Sequence, residues 1–388
     1  MNSIENEKRI PFIIDHTRIE TLLGVLQKKG YTVIGPKLEE GAIIYHTISS
    51  SADLPKGWKE DQSAGTYRLV KRNDDAYFGF NTTPHSWKQF LHPPILKLWE
   101  SKKKGNENTD PHAFDKLGKQ AFFGVRPCDL SAILILDKVF KDGPYTDSNY
   151  LKRRNSVFVV VVNCGQAGGT CFCASMNTGP RARENFDLAL TEILQDGKHE
   201  FLVEIGSHAG EEVIKEIPHR PATDTDINLA ENVIMRANEK MGKTVDTTDL
   251  KALLYRNLES KRWEEIAKRC LTCTNCTMVC PTCFCTTIED VTDLSGKNAE
   301  RHRKWDSCFT MDFSYIHGGS IRSSVQSRYR QWLTHKFAYW QDQFGTYGCV
   351  GCGRCITWCP VAIDITEELK MIRKYEQTIK STVSSKEK

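Results

Sequence analysis

The sequence predicts an α/β N-terminal domain, built on a parallel-type sheet with a βαβ unit, followed by an all-helical, cysteine-rich domain. Three observations carry this. Residues 120–163 read strand, turn, helix, strand: the apolar QAFFGV, then RPCD, then DLSAILILDKVF at helical spacing, then the β-branched SVFVVVVN. Such a run fits a parallel strand covered on both faces, and strand–helix–strand makes a right-handed crossover. From Asp249 onward, helical spacing dominates, most clearly in the aromatic segment Gln326–Phe344. Third, the chain holds 15 cysteines, gathered mostly at its C-terminal end.

At 388 residues the chain is long enough for two domains or three. We place the α/β domain at 1–245, the helical domain at 246–375 and a flexible tail at 376–388, since Ser381–Lys388 is too polar to pack. A hydrophobic fraction of 39% supports a sizeable core, and a net charge of +4 is too balanced to argue for nucleic acid. No apolar run approaches the roughly 18 residues of a membrane span, and the first eight residues hold no apolar signal core. The expectation is a soluble, cytoplasmic protein.

Along the first domain, Thr17–Lys29 reads as a helix and Tyr31–Gly35 as a strand, with a second apolar run at Ala42–Ile48. Thr66–Arg72 and Ala76–Phe80 flank Asn73-Asp74-Asp75 as a hairpin. Pro93-Pro94 break any helix in Trp87–Trp99, and Ser101–Asp115 reads as a surface loop. The helix at Asp129–Phe140 takes Asp129 or Cys128 as its cap. Asn185–Gln195 reads as a helix, Glu200–Ile205 as a strand and Ala230–Met241 as a helix.

The cysteines carry the chemistry. A disulfide framework does not suit a reducing compartment or an odd count. Cys270-Leu-Thr-Cys273-Thr-Asn-Cys276-Thr-Met-Val-Cys280-Pro281 has the spacing C-x2-C-x2-C-x3-C-P, and Cys349-Val-Gly-Cys352-Gly-Arg-Cys355-Ile-Thr-Trp-Cys359-Pro360 repeats it. This is the spacing for two 4Fe–4S cubanes, in which the fourth cysteine ligates the other cluster. Cys270, Cys273, Cys276 and Cys359 are therefore assigned to one cubane, and Cys349, Cys352, Cys355 and Cys280 to the other. The fourth cysteine is placed at a helix start, and Gly351 and Gly353 are expected to let amides approach the sulfurs. Zinc sites instead use paired C-x2-C units around one tetrahedron.

Four further cysteines, Cys128, Cys164, Cys171 and Cys173, come from two loops expected at the carboxyl end of the parallel strands, where open α/β sheets bind ligands. They could hold a third 4Fe–4S cluster, with Cys128 at a helix N-terminus and Gly168-Gly169 as an anion-embracing turn; the alternative is simple packing of buried thiols. Cys283, Cys285 and Cys308 remain. The repeated T-C-F-C at 170–173 and 282–285 leaves open a site shared by Cys171, Cys173, Cys283 and Cys285. The stripe Tyr329, Trp332, Phe337, Trp340, Phe344 reads as core around the clusters, with an aromatic electron relay as the sharper alternative. The basic residues of 301–336 read as a solvated face, or as charge that offsets the clusters or docks an acidic partner.

With its long insert between the motifs, residues 260–375 resemble the alpha-helical ferredoxin domain of fumarate-reductase-type iron–sulfur subunits. Taken together, FFGVRPCDLSAILILDKVF, NCGQAGGTCFCASMNTGP, CPTCFC and YGCVGCGRCITWCP resemble the beta, iron–sulfur subunit of cytoplasmic sulfhydrogenases, which are NAD(P)-linked nickel–iron hydrogenases. The pattern is also similar to the A subunit of anaerobic sulfite reductases. The resemblance implies an electron-transfer role beside a flavoprotein that binds FAD and NAD(P)H. It further implies catalytic partners: the hydrogenase small and large subunits, or a siroheme sulfite reductase subunit. The loop at Cys128 is distantly similar to the beta subunit of deazaflavin-reducing hydrogenases, which carries a flavin. Independently, the chain has no G-x-G-x-x-G after a strand and no phosphate-binding P-loop motif.

Overall fold

The computed structural model describes residues 10–102, 118–195 and 197–386. The polar N-terminus and most of the loop expected at Ser101–Asp115 lie outside them. The first half runs β1 (Phe12–Asp15), α1 (Arg18–Lys28), β2 (Tyr31–Glu39), β3 (Ala42–Thr47), β4 (Trp58–Ser63), β5 (Thr66–Lys71), α2 (Lys88–Leu91) and β6 (Ile95–Lys102). It continues as β7 (Lys119–Val125), α3 (Pro127–Phe140), α4 (Ser148–Asn155), β8 (Val157–Val162), β9 (Leu188–Gln195), β10 (Lys198–Ile205), α5 (His208–Ile214), β11 (Arg220–Pro221) and α6 (Asp224–Glu239).

Eight of these strands form one sheet in the order β11-β1-β10-β9-β8-β7-β2-β3. β2, β7, β8 and β9 are mutually parallel; the remaining pairings are antiparallel. The expected βαβ unit is therefore present, inside a mixed sheet. Alternation along the strands sorts side chains to two faces. Phe123, Phe158, Val160, Leu190 and Phe201 pack against α1 and α5 on one face. Phe122, Val159, Val161 and Ala189 pack against α3 on the other. Burial on both faces is why the central strands lack polar alternation.

Three expectations change. Residues 188–195 form a strand instead of a helix: Leu188, Ala189 and Leu190 are fully buried between β8 and β10, and tertiary burial overrides their helix propensity. The hairpin is β4–β5, turning at Gly65 in the left-handed region (φ +71°), and Ala76–Phe80 pairs with no strand. Instead, side chains satisfy its backbone. Glu192 accepts from the amides of Tyr77 and Phe78, while the Arg126 guanidinium donates to the carbonyls of Phe78 and Phe80. Finally, α3 starts at Pro127 with Arg126 as N-cap, so neither Asp129 nor Cys128 caps it. Pro127 stands where its missing N–H costs nothing.

The second half contains α7 (Leu250–Arg256), α8 (Arg262–Ala267), α9 (Asn275–Met278), β12 (Thr286–Thr292), β13 (Asn298–Trp305), β14 (Tyr315–Ile316) and β15 (Gly319–Ser320). It ends with α10 (Val325–Thr334), a π-helical turn (His335–Tyr339), α11 (Trp340–Phe344), α12 (Arg354–Thr357) and α13 (Ile365–Lys386). It is not purely helical. β12 and β13 lie in the insert between the cysteine motifs and pair with β6 of the first half. The tail expected from 376 continues α13 to Lys386, anchored where Arg256 pairs with Glu376 (2.7 Å); residues 377–382 are exposed. Among the described residues, no helix is long and apolar enough to cross a membrane.

The halves are joined by a buried ion pair. Arg354 Nη1 and Nη2 donate to Asp129 Oδ1 and Oδ2 at 2.7 and 2.9 Å, and both side chains are wholly inaccessible. Arg354 Nε also donates to the Thr83 carbonyl at 2.8 Å, and Tyr45 Oη donates to Asp129. The β4–β5 hairpin grips the same element: Gly65 N donates to the Ile356 carbonyl at 3.1 Å and Tyr67 packs on Trp358. Arg354→Met leaves the Asp129 carboxylate buried and uncompensated, with an expected cost of about 3–5 kcal/mol. Urea denaturation of Arg354→Met, Asp129→Leu and the double variant checks this; the double variant should recover most of the loss.

Candidate metal centres

The two cysteine motifs fold alike. Cys270 and Cys349 each accept a hydrogen bond on Sγ from the amide two residues on, from Thr272 and Gly351, both at 3.4 Å. Thr272 (φ +50°) and Thr274 (φ +68°) adopt the same left-handed backbone as Gly351 (+66°) and Gly353 (+76°). β-branched residues are rare there and strained. The third cysteine of each motif lies on a short helix, Cys276 on α9 and Cys355 on α12. Each helix carries the chain past the third cysteine, so the fourth follows a helix end; it does not start a helix as expected.

Cys359 of the second motif comes to the thiols of the first. Cys270, Cys273, Cys276, Cys355 and Cys359 line one cavity, with Tyr329, Trp332 and Phe309. Burial raises the Cys270 and Cys276 thiols, and the Cys359 and Cys273 charges add to the rise. In the other set, burial pushes Cys349 up to about 12 and lifts Cys355 well above the usual range; both also feel Cys352 and Cys280. Cys280 itself is held well below a normal thiol, because the Cys283 thiol donates to it and the Lys336 ammonium faces it at 3.2 Å.

The four thiols of the α/β half also meet. β7 and β8 are parallel neighbours, so Cys128 on the first turn of α3 and Cys164 just beyond β8 emerge at one sheet end. Cys128, Cys164, Cys171 and Cys173 line one cavity with Asn81, Arg126 and Met241. Burial raises Cys128 and Cys173 well above the ordinary range, and Cys352 of the second motif contributes to both. The loop of residues 170–178 is pressed onto that motif. Phe172 N donates to the Gly351 carbonyl at 2.8 Å, and Thr178 Oγ1 to the Val350 carbonyl at 2.6 Å. A Cβ on Gly351 would lie 2.7 Å from the Cys173 backbone. Neither Gly168 nor Gly169, the expected anion-embracing turn, has a positive φ. They allow close packing: a Cβ on Gly169 would sit 2.0 Å from the Gln62 carbonyl.

Cys283, Cys285 and Cys308 do not line the cavity of Cys171 and Cys173. The Cys283 thiol is hydrogen-bonded to Cys280, and Cys285 to Cys308. Cys171, Cys173, Cys283 and Cys285 therefore do not share that cavity. Among the described residues, no three or more His, Cys, Asp or Glu side chains close on a single metal ion; the thiols line wider cavities.

The surroundings fit an anionic, sulfur-rich group. Tyr329 Oη and Trp332 Nε1 are buried without a partner, and both residues line the first cavity. Arg126, with a buried unpartnered Nε, lines the third. Buried donors without acceptors are costly, and thiolates or sulfides would satisfy them. These donors had no signature in the sequence beyond the aromatic stripe. Of that stripe, Tyr329, Trp332, Phe337 and Trp340 are buried as expected. The basic residues mostly pair locally: Arg301 with Asp290, Arg303 with Asp147, Lys304 with Glu289 and Arg330 with Glu259. Lys336 alone points its charge at a motif thiol. His92 is buried against Phe140, and burial drags it down to about 3.

A duplicated four-cysteine loop under a helical cap, beside a sheet whose loops present further thiols, defines an iron–sulfur electron-transfer subunit. Residues 269–363 match the family model of a 4Fe-4S dicluster domain. The chain is 33% identical over 317 residues to the sulfhydrogenase 2 subunit beta of Pyrococcus furiosus, across 80% of this chain and 90% of that relative. It belongs to the sulfhydrogenase beta-subunit family and is a 4Fe–4S hydrogenase subunit. No solved structure matches it.

The strained threonines generate a test. Thr274→Gly places at this position the residue that Gly353 supplies in the second motif. The expected gain is about 1 kcal/mol, read as a raised urea midpoint with unchanged iron content.

Proposed function

We propose that this chain relays single electrons, in a cytoplasmic complex, between a flavoprotein subunit that binds FAD and NAD(P)H and the small and large catalytic subunits of a nickel–iron hydrogenase. The observation that carries the reading is the arrangement of twelve thiols in three neighbouring sets. Cys270, Cys273, Cys276 and Cys359 would hold one cubane, and Cys349, Cys352, Cys355 and Cys280 a second. Cys128, Cys164, Cys171 and Cys173 would hold a third. Bound 4Fe–4S clusters supply one-electron carriers; the protein's part is to hold, space and insulate them.

Electrostatic neighbours support a row of the three sites. Cys276 acts electrostatically on Cys355, which joins the first set to the second. Cys352 acts on Cys128, Cys171 and Cys173, which joins the second to the third. Arg354, one residue before Cys355, is locked to Asp129, one residue after Cys128. The middle site is thus positioned from both sides. Trp340, Val350 and Ile135 pack beside Cys128, Cys173 and Cys352 and keep water from this junction. Raised thiols in a crowded apolar setting release their protons when iron binds, which couples cluster assembly to pH.

Four measurements test the reading. Anaerobically prepared protein should contain about 12 irons per chain, against about 8 for two cubanes, and Cys128→Ala should lower the value by about 4. Cys359→Ser should damage the cubane of Cys270, Cys273 and Cys276 in EPR; loss confined to the Cys349, Cys352, Cys355 signal contradicts the crossing. The isolated chain should bind no NADPH by calorimetry, consistent with a separate flavoprotein. Co-purification identifies the catalytic partner, and a siroheme protein in place of hydrogenase subunits would point to sulfite reduction.

A further inference from the structure

Among the described residues of the helical half, Lys336 is the one charged side chain that is both buried (4% exposed) and bonded directly to a motif thiol. It lies on the π-helical turn His335–Tyr339, a distortion that recurs at functional positions. Its Nζ reaches Cys280 Sγ, Thr282 Oγ1 and the Gly348 carbonyl, each at 3.2 Å. None of the three is a carboxylate. Three acceptors match the three N–H donors of an ammonium group, whereas a neutral amine has two. Thr282 also donates to the Gly348 carbonyl at 2.6 Å, which leaves its oxygen lone pairs for Lys336.

The first site has no such cation bonded to its thiols. Its unpartnered donors, Tyr329 and Trp332, are neutral, and the nearby Arg328 donates to the Phe309 carbonyl at 2.9 Å. The two motif sites therefore have matched loops, down to the 3.4 Å amide-to-sulfur bonds of Thr272 and Gly351, but among the described residues only the second has a cation hydrogen-bonded to a motif thiol. One-electron reduction of a thiolate-ligated cubane adds one negative charge, breaks no bond and moves no proton here. A fixed ammonium against one ligand sulfur stabilises that added charge, and hydrogen bonds to the sulfurs act in the same direction.

We infer that Lys336 is the residue that sets the reduction potential of the middle site, so that of the two motif sites the one at Cys280, Cys349, Cys352 and Cys355 is the easier to reduce. This rests on the two-cubane reading above. The middle position then acts as the electron reservoir of the row, which neither motif spacing nor cysteine count could indicate. Lys336 is a positioning residue for charge; it touches no substrate.

The test is an EPR-monitored redox titration, with dithionite as reductant, of the full chain as wild type, Lys336→Met and Lys336→Arg. In Lys336→Met, the reduced-to-oxidised ratio of one cubane at a fixed poise should fall at least about tenfold, about 59 mV for a one-electron couple, while the other cubane is unmoved. Lys336→Arg should restore most of the shift. Two intact signals with neither shifted in Lys336→Met overturn the inference and leave the two-cubane reading standing. A wild-type chain with no second cubane signal overturns that reading and the inference with it. Loss of about four irons in Lys336→Met, as isolated, overturns potential-setting in favour of an assembly role.

Discussion

The buried Arg354–Asp129 pair is the constraint on which the rest of the arrangement depends. Removing both charges from water is expensive, and the cost is offset only because the geometry is bidentate and the remaining donors are used, at Thr83 and Tyr45. Asp129 is on the first turn of the crossover helix; Arg354 is inside the second cysteine motif. One interaction therefore sets the distance and orientation between the carboxyl end of the parallel sheet and the motif loop. Cys128 and Cys355 are its chain neighbours. Any displacement of one half relative to the other would leave a charge stranded, so the pair specifies a single docking as much as it stabilises one.

Close backbone approach follows from that docking. Gly351 and Gly353 face the backbone of Cys173 and Thr170, where a Cβ on Gly353 would lie 2.4 Å from the Thr170 carbonyl. Thr170 and Thr357 share a hydrogen bond at 2.7 Å across the same seam, and the hydroxyl that accepts in that bond donates to the Gln62 side-chain oxygen, which is within 3.3 Å of both. The glycines of the second motif thus do two things at once: they take a left-handed backbone, and they make room for the other domain. The first motif faces no such seam. There threonines fill the equivalent positions, and the loop keeps the same shape at the cost of local strain.

The duplicated loops differ most in what surrounds their sulfurs. The first set is bordered by neutral aromatic donors and by the exposed Cys273. The second is enclosed by Lys336, by Thr282 and by the thiols of Cys283 and, beyond it, Cys285. A repeat of identical spacing can therefore serve two electronic roles, since potential depends on charge and hydrogen bonding around the sulfurs more than on the ligand set alone.

The spacing of the cysteine motifs was legible because three thiols on one tight loop can be reached only at those intervals. The β-branched run at 157–162 and the strand–helix–strand order were legible because burial on both faces removes polar alternation. The strand at 188–195 was not. Leu, Ala and Glu there favour a helix, and only insertion between β8 and β10 makes the extended form better. Nor could the sequence show that β6 pairs with β13, that Ala76–Phe80 is held by Arg126 and Glu192, or that Cys283 is hydrogen-bonded to Cys280 and Cys285 to Cys308. By itself the sequence determined which residues are ligand candidates and which segments are core, because periodicity and spacing are local. Only the tertiary structure decided how the three thiol sets lie beside one another and which buried charges face them, because those depend on contacts between residues up to 295 positions apart.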